Sequence, residues 1–140
     1  MSFVQPTQML TDRAVLALLS AAQAAAGAMG QPQCIVIVDA SGVTLGSLRM
    51  AGARFLSLRS ATAKAQTAAS IGAPSAAIPE PARAALAAAT QGSVTGLAGG
   101  LPIRIGGQLL GGIGVGSGTG AQDVVVAQAA LEAIGADPVF

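Results

Sequence analysis

Lys64 is the only lysine in a chain of 140 residues that contains no histidine and no tyrosine. At neutral pH the groups left for chemistry are that amine, the arginines, a few carboxylates, one thiol and the hydroxyls. At 100° per residue, Ser57, Ser60, Lys64 and Thr67 fall along one strip of a helix, beside Leu56 and Ile71. Such a strip is a pocket rim, a subunit boundary or an ordinary solvated edge. If the strip is partly buried, Lys64 becomes a candidate proton donor or imine-forming amine. Arg49 closes a hairpin, where its guanidinium can fork onto a ligand carboxylate, or simply serve as a strand-end charge. Asp39 precedes Ser41-Gly42 and reads as a turn-stabilising acid or as a general base.

The stretch "GGIGVGSGTGAQD", from Gly111 to Asp123, follows an apolar strand and leads into a helical pattern. It loosely matches a dinucleotide-binding turn at Gly116 to Ala121. That fold, however, needs a further strand after the helix, and the sequence given ends at Phe140. There is no G-K-[ST] for a triphosphate loop. Thr119 and Gln122 have capping-box spacing, and Asp123 suits a first helical turn. Gly112, Gly114 and Gly116, at period two, leave one strand face bare, which accepts either a packed helix or a ligand. With Ser117, they are candidate ligand-binding positions.

Absent residues exclude several classes. Without histidine, the usual metal ligand, general base and haem ligand are missing. The single Cys34 rules out an intrachain disulfide and a multi-cysteine metal site, so no metal is expected. The six arginines are scattered and only Phe3, Phe55 and Phe140 are aromatic, which argues against nucleic-acid binding. Charged residues reach only 9 % against 52 % hydrophobic, a thin polar coat for a monomer; self-association is expected. The apolar run Ala14 to Ala28 lacks a basic leader and is short for a membrane span, so a cytoplasmic soluble protein without membrane contact is the expectation.

The elements that must position these groups follow from periodicity and breakers. A first amphipathic helix runs from Leu10 to Met29 with Thr11 as cap. Two strands lie in "QCIVIVDASGVTLGSLRM", a long helix in "AGARFLSLRSATAKAQTAASIG", and a shorter one in "PEPARAALAAAT". Two more strands meet at Gly106-Gly107, and a last helix spans about Ala121 to Ile134. Ala61, Ala65 and Ala68 form a smooth face for close packing on a sheet. The order α-β-β-α-α-β-β-α, with strands in hairpins, predicts one domain over residues 1–140: an α/β (α+β) fold with a central antiparallel sheet flanked by helices.

Five segments in sequence carry a family resemblance: "VDASG" (38–42), "RMAGA" (49–53), "AKAQTA" (63–68), "GGLPI" (99–103) and "GGIGVGSGTGAQD" (111–123). Together they resemble the GlcG/HbpS-like proteins, the haem-degrading or PduO C-terminal-like domain family, over nearly the whole chain. The resemblance implies a profilin-like α/β/α sandwich and homo-oligomers, often octamers. It also implies haem or corrinoid binding in some members. Departures are Ala51 for the family's acid after "RM", Gln66 for an arginine, and "GVGSG" for "GVSGG", which relocates the Ser117 hydroxyl. A haem-ligating histidine has no counterpart here, and Met50 offers only a weak axial ligand.

The reading is an oligomeric small-molecule-binding protein for a small anionic organic compound. Arg49, Lys64 and Ser60 would hold the anion, and the strand from Gly112 to Gly116 with Ser117 would admit it. Lys64 or Asp39 would move any proton, and no cofactor is expected. If it turns over, cofactor-free isomerase, tautomerase or lyase chemistry on a small organic acid of a catabolic pathway suits the inventory best. The alternative is a haem- or tetrapyrrole-binding module without catalysis, and a third is a structural oligomer with no ligand.

Overall fold

The computed structural model describes residues 1–140. Helix α1 (Asp12–Ala28) starts at Thr11, whose side chain accepts from the Ala14 N–H, and ends before Gly30 at φ +68°. Strands β1 (Cys34–Asp39) and β2 (Thr44–Arg49) form the first hairpin. Helix α2 (Ser57–Ile71) stops at Gly72 in the left-handed conformation. A short helix α3 (Arg83–Ala89) follows the proline-rich segment. Strands β3 (Gly100–Ile105) and β4 (Gln108–Gly116) turn at Gly106-Gly107, both at positive φ, as a two-residue hairpin requires. Helix α4 (Gly120–Ala133) begins at Thr119, and the predicted capping box with Gln122 is present.

The element order is the one periodicity predicts, and the four strands form one antiparallel sheet ordered β2-β1-β4-β3. One boundary differs. The long second helix was expected from about Ala51, but residues 51–56 are turns and α2 begins at Ser57. Gly52 at φ +92° turns the chain there, overriding the helix-friendly alanines on either side.

Side-chain alternation divides the core between the sheet's two faces. Ile35, Ile37, Leu101, Ile103, Ile113 and Val115 face α1 and α4, where Leu18, Ala22, Val126, Ala127 and Ala130 are fully buried. Cys34, Val36 and Val38 face α2, which meets them with Ala61, Ala65 and Ala69. The result is a helix–sheet–helix sandwich. Its α2 face is unusually close-packed, because β4 offers it glycines. A Cβ on Gly112 would strike the Ala65 carbonyl, and one on Gly114 the Ala61 carbonyl. The bare strand face therefore receives a helix at these two positions. Gly112 and Gly114 are corrected accordingly, from candidate ligand contacts to packing positions. No helix is long and apolar enough to cross a membrane.

Candidate functional site

The packing that carries α2 over the glycines also delivers its lysine to the end of the sheet. Lys64 Nζ donates to the Val115 carbonyl and to Asp123 Oδ2, both at 2.8 Å. Lys64 is 5 % exposed and Asp123 2 %. Asp123 projects from the buried stripe of α4, so the ion pair ties together helices from opposite faces of the sheet. Its other oxygen, Oδ1, accepts the Gly118 N–H at 3.1 Å. Both carboxylate oxygens and two of the three ammonium N–H groups are thus engaged locally, the pairing that a buried ion pair needs. Gly99, just ahead of β3, leaves the space for it: a Cβ there would lie 2.8 Å from Asp123 Cβ and 3.0 Å from Lys64 Nζ.

Above the pair opens a cleft of about 260 Å³ whose polar lining comes from three segments. Ser57 and Ser60 belong to the first turn of α2, Arg54 to the turn before it, Ser117 and Gly118 to the approach to α4, and Gly120 to its first turn. The Arg54 N–H donates to Ser117 Oγ at 3.0 Å, and Gln31 Nε2 donates to the Ser117 carbonyl at 3.0 Å. Ser117 is held at φ +87°, one of two non-glycine residues at positive φ. A second cavity of about 540 Å³, lined by Arg59, Gln66 and Thr95 among others, shares Ser60 and Leu97 with the first.

Chemically, the cleft suits an anion. The Lys64–Asp123 pair is neutral as a unit, so the charge that a ligand meets is Arg54. At the start of α4, Thr119 takes the N–H groups of Gln122 and Asp123, which leaves those of Gly120 and Ala121 to add to it. Lys64 is not a free amine: Asp123 and a carbonyl occupy it, which removes the nucleophile an imine would need.

The predicted site residues divide. Lys64, Ser60 and Ser117 line this cleft together. Gly116 adjoins it, since a Cβ there would lie 3.2 Å from Ser60 Oγ. Arg49 does not line it; the residue sits on the edge strand opposite Cys34, and Arg54 takes the basic position instead. Asp39 is corrected from a proton-transfer group to a turn residue. Its Oδ1 accepts the N–H groups of Ser41 at 2.8 Å and Val43 at 3.0 Å, at the far end of β1 from Cys34. Burial raises the Cys34 thiol above its ordinary range, with Arg49 pulling partly the other way. Its Sγ lies 3.5 Å from the Arg54 carbonyl.

Two features of the site went unread in the sequence: Arg54, and Asp123 as an ion-pair partner. The signal for Asp123 was its place on one stripe with Val126, Ala127 and Ala130. A carboxylate on a buried stripe requires a countercharge. No group of three or more His, Cys, Asp or Glu residues could hold a metal ion.

Comparison with known proteins agrees with this architecture. A family model described as haem degrading protein HbpS-like matches residues 10–132. Among solved structures, a PduOC:haem complex is similar at 28 % identity and TM-score 0.87, covering 95 % of this chain and 100 % of that one. ORFY from Klebsiella pneumoniae is similar at 29 % identity and TM-score 0.91, covering 99 % of each chain. A double mutant of HbpS from Streptomyces reticuli shares 32 % identity at TM-score 0.83, over 92 % of this chain and 89 % of that one. A search of curated proteins found no match.

Proposed function

The chain belongs to the HbpS-like family of haem-degrading proteins, and on that premise we propose that it binds haem or a related carboxylated tetrapyrrole through the ligand's acid groups. The observation that carries this reading is a cleft at the N-terminal end of α4 lined by Arg54 together with Ser57, Ser60 and Ser117. A haem complex is known for a similar fold. Arg54 and Arg59 would meet the propionates, and Leu58, Ala63 and Leu97 of the adjoining cavity would lie against the macrocycle. That larger cavity falls within the range of about 300–1,000 Å³ usual for organic ligands.

The side chains do not fit an axial bond to the iron. Cys34 is fully buried with its thiol ionisation opposed, Met50 Sδ accepts the Gln33 N–H at 3.4 Å, and Lys64 is held by Asp123. Binding therefore rests on the carboxylates and the ring, and no chemistry at the iron is assigned to these residues. Titration with haemin and with metal-free protoporphyrin IX tests this. Comparable affinities are expected, both weakened about tenfold or more by Arg54→Ala, the loss of a charge-assisted contact of roughly 1.5–3 kcal/mol. Tight haemin binding that protoporphyrin does not share, unchanged in Arg54→Ala, would sink the reading.

A second reading has its own observation. The cleft over the ion pair is only about 260 Å³ and lined by hydroxyls and charges, a volume suited to a small organic acid. An isomerase, tautomerase or lyase acting there would have Lys64 as its proton-transfer group, displaced from Asp123 during the reaction. Self-association belongs to either reading: Phe55, Leu56 and Leu97, at 67 %, 60 % and 58 % exposure, lie at or next to the cleft. Light scattering on the purified protein should show more than one copy per particle.

A further inference from the structure

Behind the cleft lies a side chain that neither reading uses. Gln33, immediately before β1, is completely buried, and neither its Nε2 nor its Oε1 has a hydrogen-bond partner. Buried amides are almost always paired, so an amide orphaned at both ends calls for an explanation. Its Nε2 is directed at Gly118: a Cβ on that glycine would stand 2.5 Å from Gln33 Nε2, 2.8 Å from Asp123 Oδ1 and 2.9 Å from Gln122 Oε1. Gly118 lines the cleft, so the bare backbone of one residue is what separates the amide from the ligand space. The neighbouring Ser117 is in a left-handed conformation that a serine rarely adopts. An unsatisfied amide and a strained residue thus meet at one segment, residues 117–118, at the start of α4. Outliers of this kind concentrate at binding sites.

We infer that Gln33 reads a neutral polar group of the ligand, and that the cleft takes an organic acid carrying a lactam or carboxamide. The inference rests on the second reading above, a small organic acid whose acid group Arg54 and the α4 N-terminus hold. The chemistry follows from what is left unpaired. Both Asp123 oxygens are engaged, one by Lys64 and the other by Gly118, so the carboxylate has its partners. Gln33 offers an N–H donor beside its C=O acceptor on one edge of the amide, a second N–H on the other, and no charge. A cis-amide N–H and C=O is the complement, forming two parallel hydrogen bonds with a primary amide. The segment at Ser117-Gly118 shifts to let that group reach Gln33, its glycine providing the freedom and its strained serine losing the unfavourable conformation.

The test compares two acids of nearly one shape, pyroglutamate and cyclopentanecarboxylate, which differ in the ring lactam. Calorimetry on the wild-type protein should find pyroglutamate bound at least tenfold more tightly. Gln33→Leu should abolish that preference while keeping the affinity for cyclopentanecarboxylate, and Arg54→Ala should weaken both acids alike. The Gln33 side-chain NH₂ resonances, assigned by their disappearance in Gln33→Met, should move with pyroglutamate only, a readout available even if Gln33→Leu does not fold. Equal binding of the two acids to the wild type, with those resonances unmoved, overturns the role of Gln33 and leaves the acid site standing. Failure of both acids to bind overturns the acid site and the inference with it.

Discussion

Replacing Lys64 by Met strands Asp123 in the interior, and the size of the effect can be worked from the geometry. The two charges are 2.8 Å apart with side chains 6 % and 2 % exposed. At an effective dielectric of about 20 their attraction is roughly 4–6 kcal/mol, against a desolvation penalty of several kcal/mol per ion. The pair as a whole therefore adds little net stability. Removing one partner is different, because the desolvation of the survivor persists; buried pairs broken this way lose about 3–5 kcal/mol. The Gly118 N–H still serves Asp123, and the cleft admits water beside it, so the expected loss is about 3 kcal/mol. For a chain of this length that lowers Tm by roughly 10 °C. Urea denaturation at fixed protein concentration would measure it. The double variant Lys64→Met with Asp123→Leu should return to within about 1 kcal/mol of wild type, giving a coupling of about 2 kcal/mol or more. A single-variant loss below about 1 kcal/mol, the range of exposed pairs, would refute the account, and so would strict additivity.

Two further expectations concern stability and reactivity. Gly114→Ala drives a methyl group into the Ala61 carbonyl of α2 and should destabilise by about 1–3 kcal/mol or more, whereas Gly27→Ala, in open space on α1, should be neutral or stabilising by up to about 1 kcal/mol; denaturation midpoints of the two variants check this. Cys34 should resist a disulfide reagent at neutral pH until the protein unfolds, because burial disfavours its thiolate. Since the folded thiol ionises at higher pH than the unfolded one, its contribution is fully present at neutral pH. It is lost as pH rises beyond the ordinary thiol range, and unfolding curves at neutral and alkaline pH would show the decline.

Much of the fold was legible because its signals are local. Thr11, the Thr119–Gln122 box, Gly72 and the Gly106-Gly107 pair mark element ends through their own chemistry, and the structure uses each of them that way. The turn role of Asp39 was likewise contained in five residues. What was not legible is whatever depends on how distant segments cross. Arg49 and Arg54 are five positions apart, and nothing in their immediate surroundings says which one reaches the cleft. That is decided by the turn at Gly52 and by where Ser117 receives the Arg54 N–H. The period-two glycines posed a similar problem. A bare strand face accommodates a helix or a ligand equally well, and only the small residues of α2, on a separate element, settle that Gly112 and Gly114 lie under a helix.

The ion pair joins residues 59 positions apart, and only its acid half is an anomaly in the sequence. Asp123 heads the buried run of Val126, Ala127 and Ala130, a charge on a face that should be apolar, whereas Lys64 lies on a polar strip with Ser57 and Ser60 beside the alanines that pack on the sheet. The acid calls for a countercharge, but with seven lysines and arginines in the chain only the fold selects Lys64. The same reasoning changes what the lysine is for. An amine that must neutralise Asp123 to let two helices close over the sheet is not available to hold a ligand's acid group. Under the proposed function that task falls to Arg54, which is exposed, and to the first turn of α4, which the ion pair ties to α2. Gln33 is the exception that this logic exposes: the one buried polar side chain that no other part of the chain satisfies.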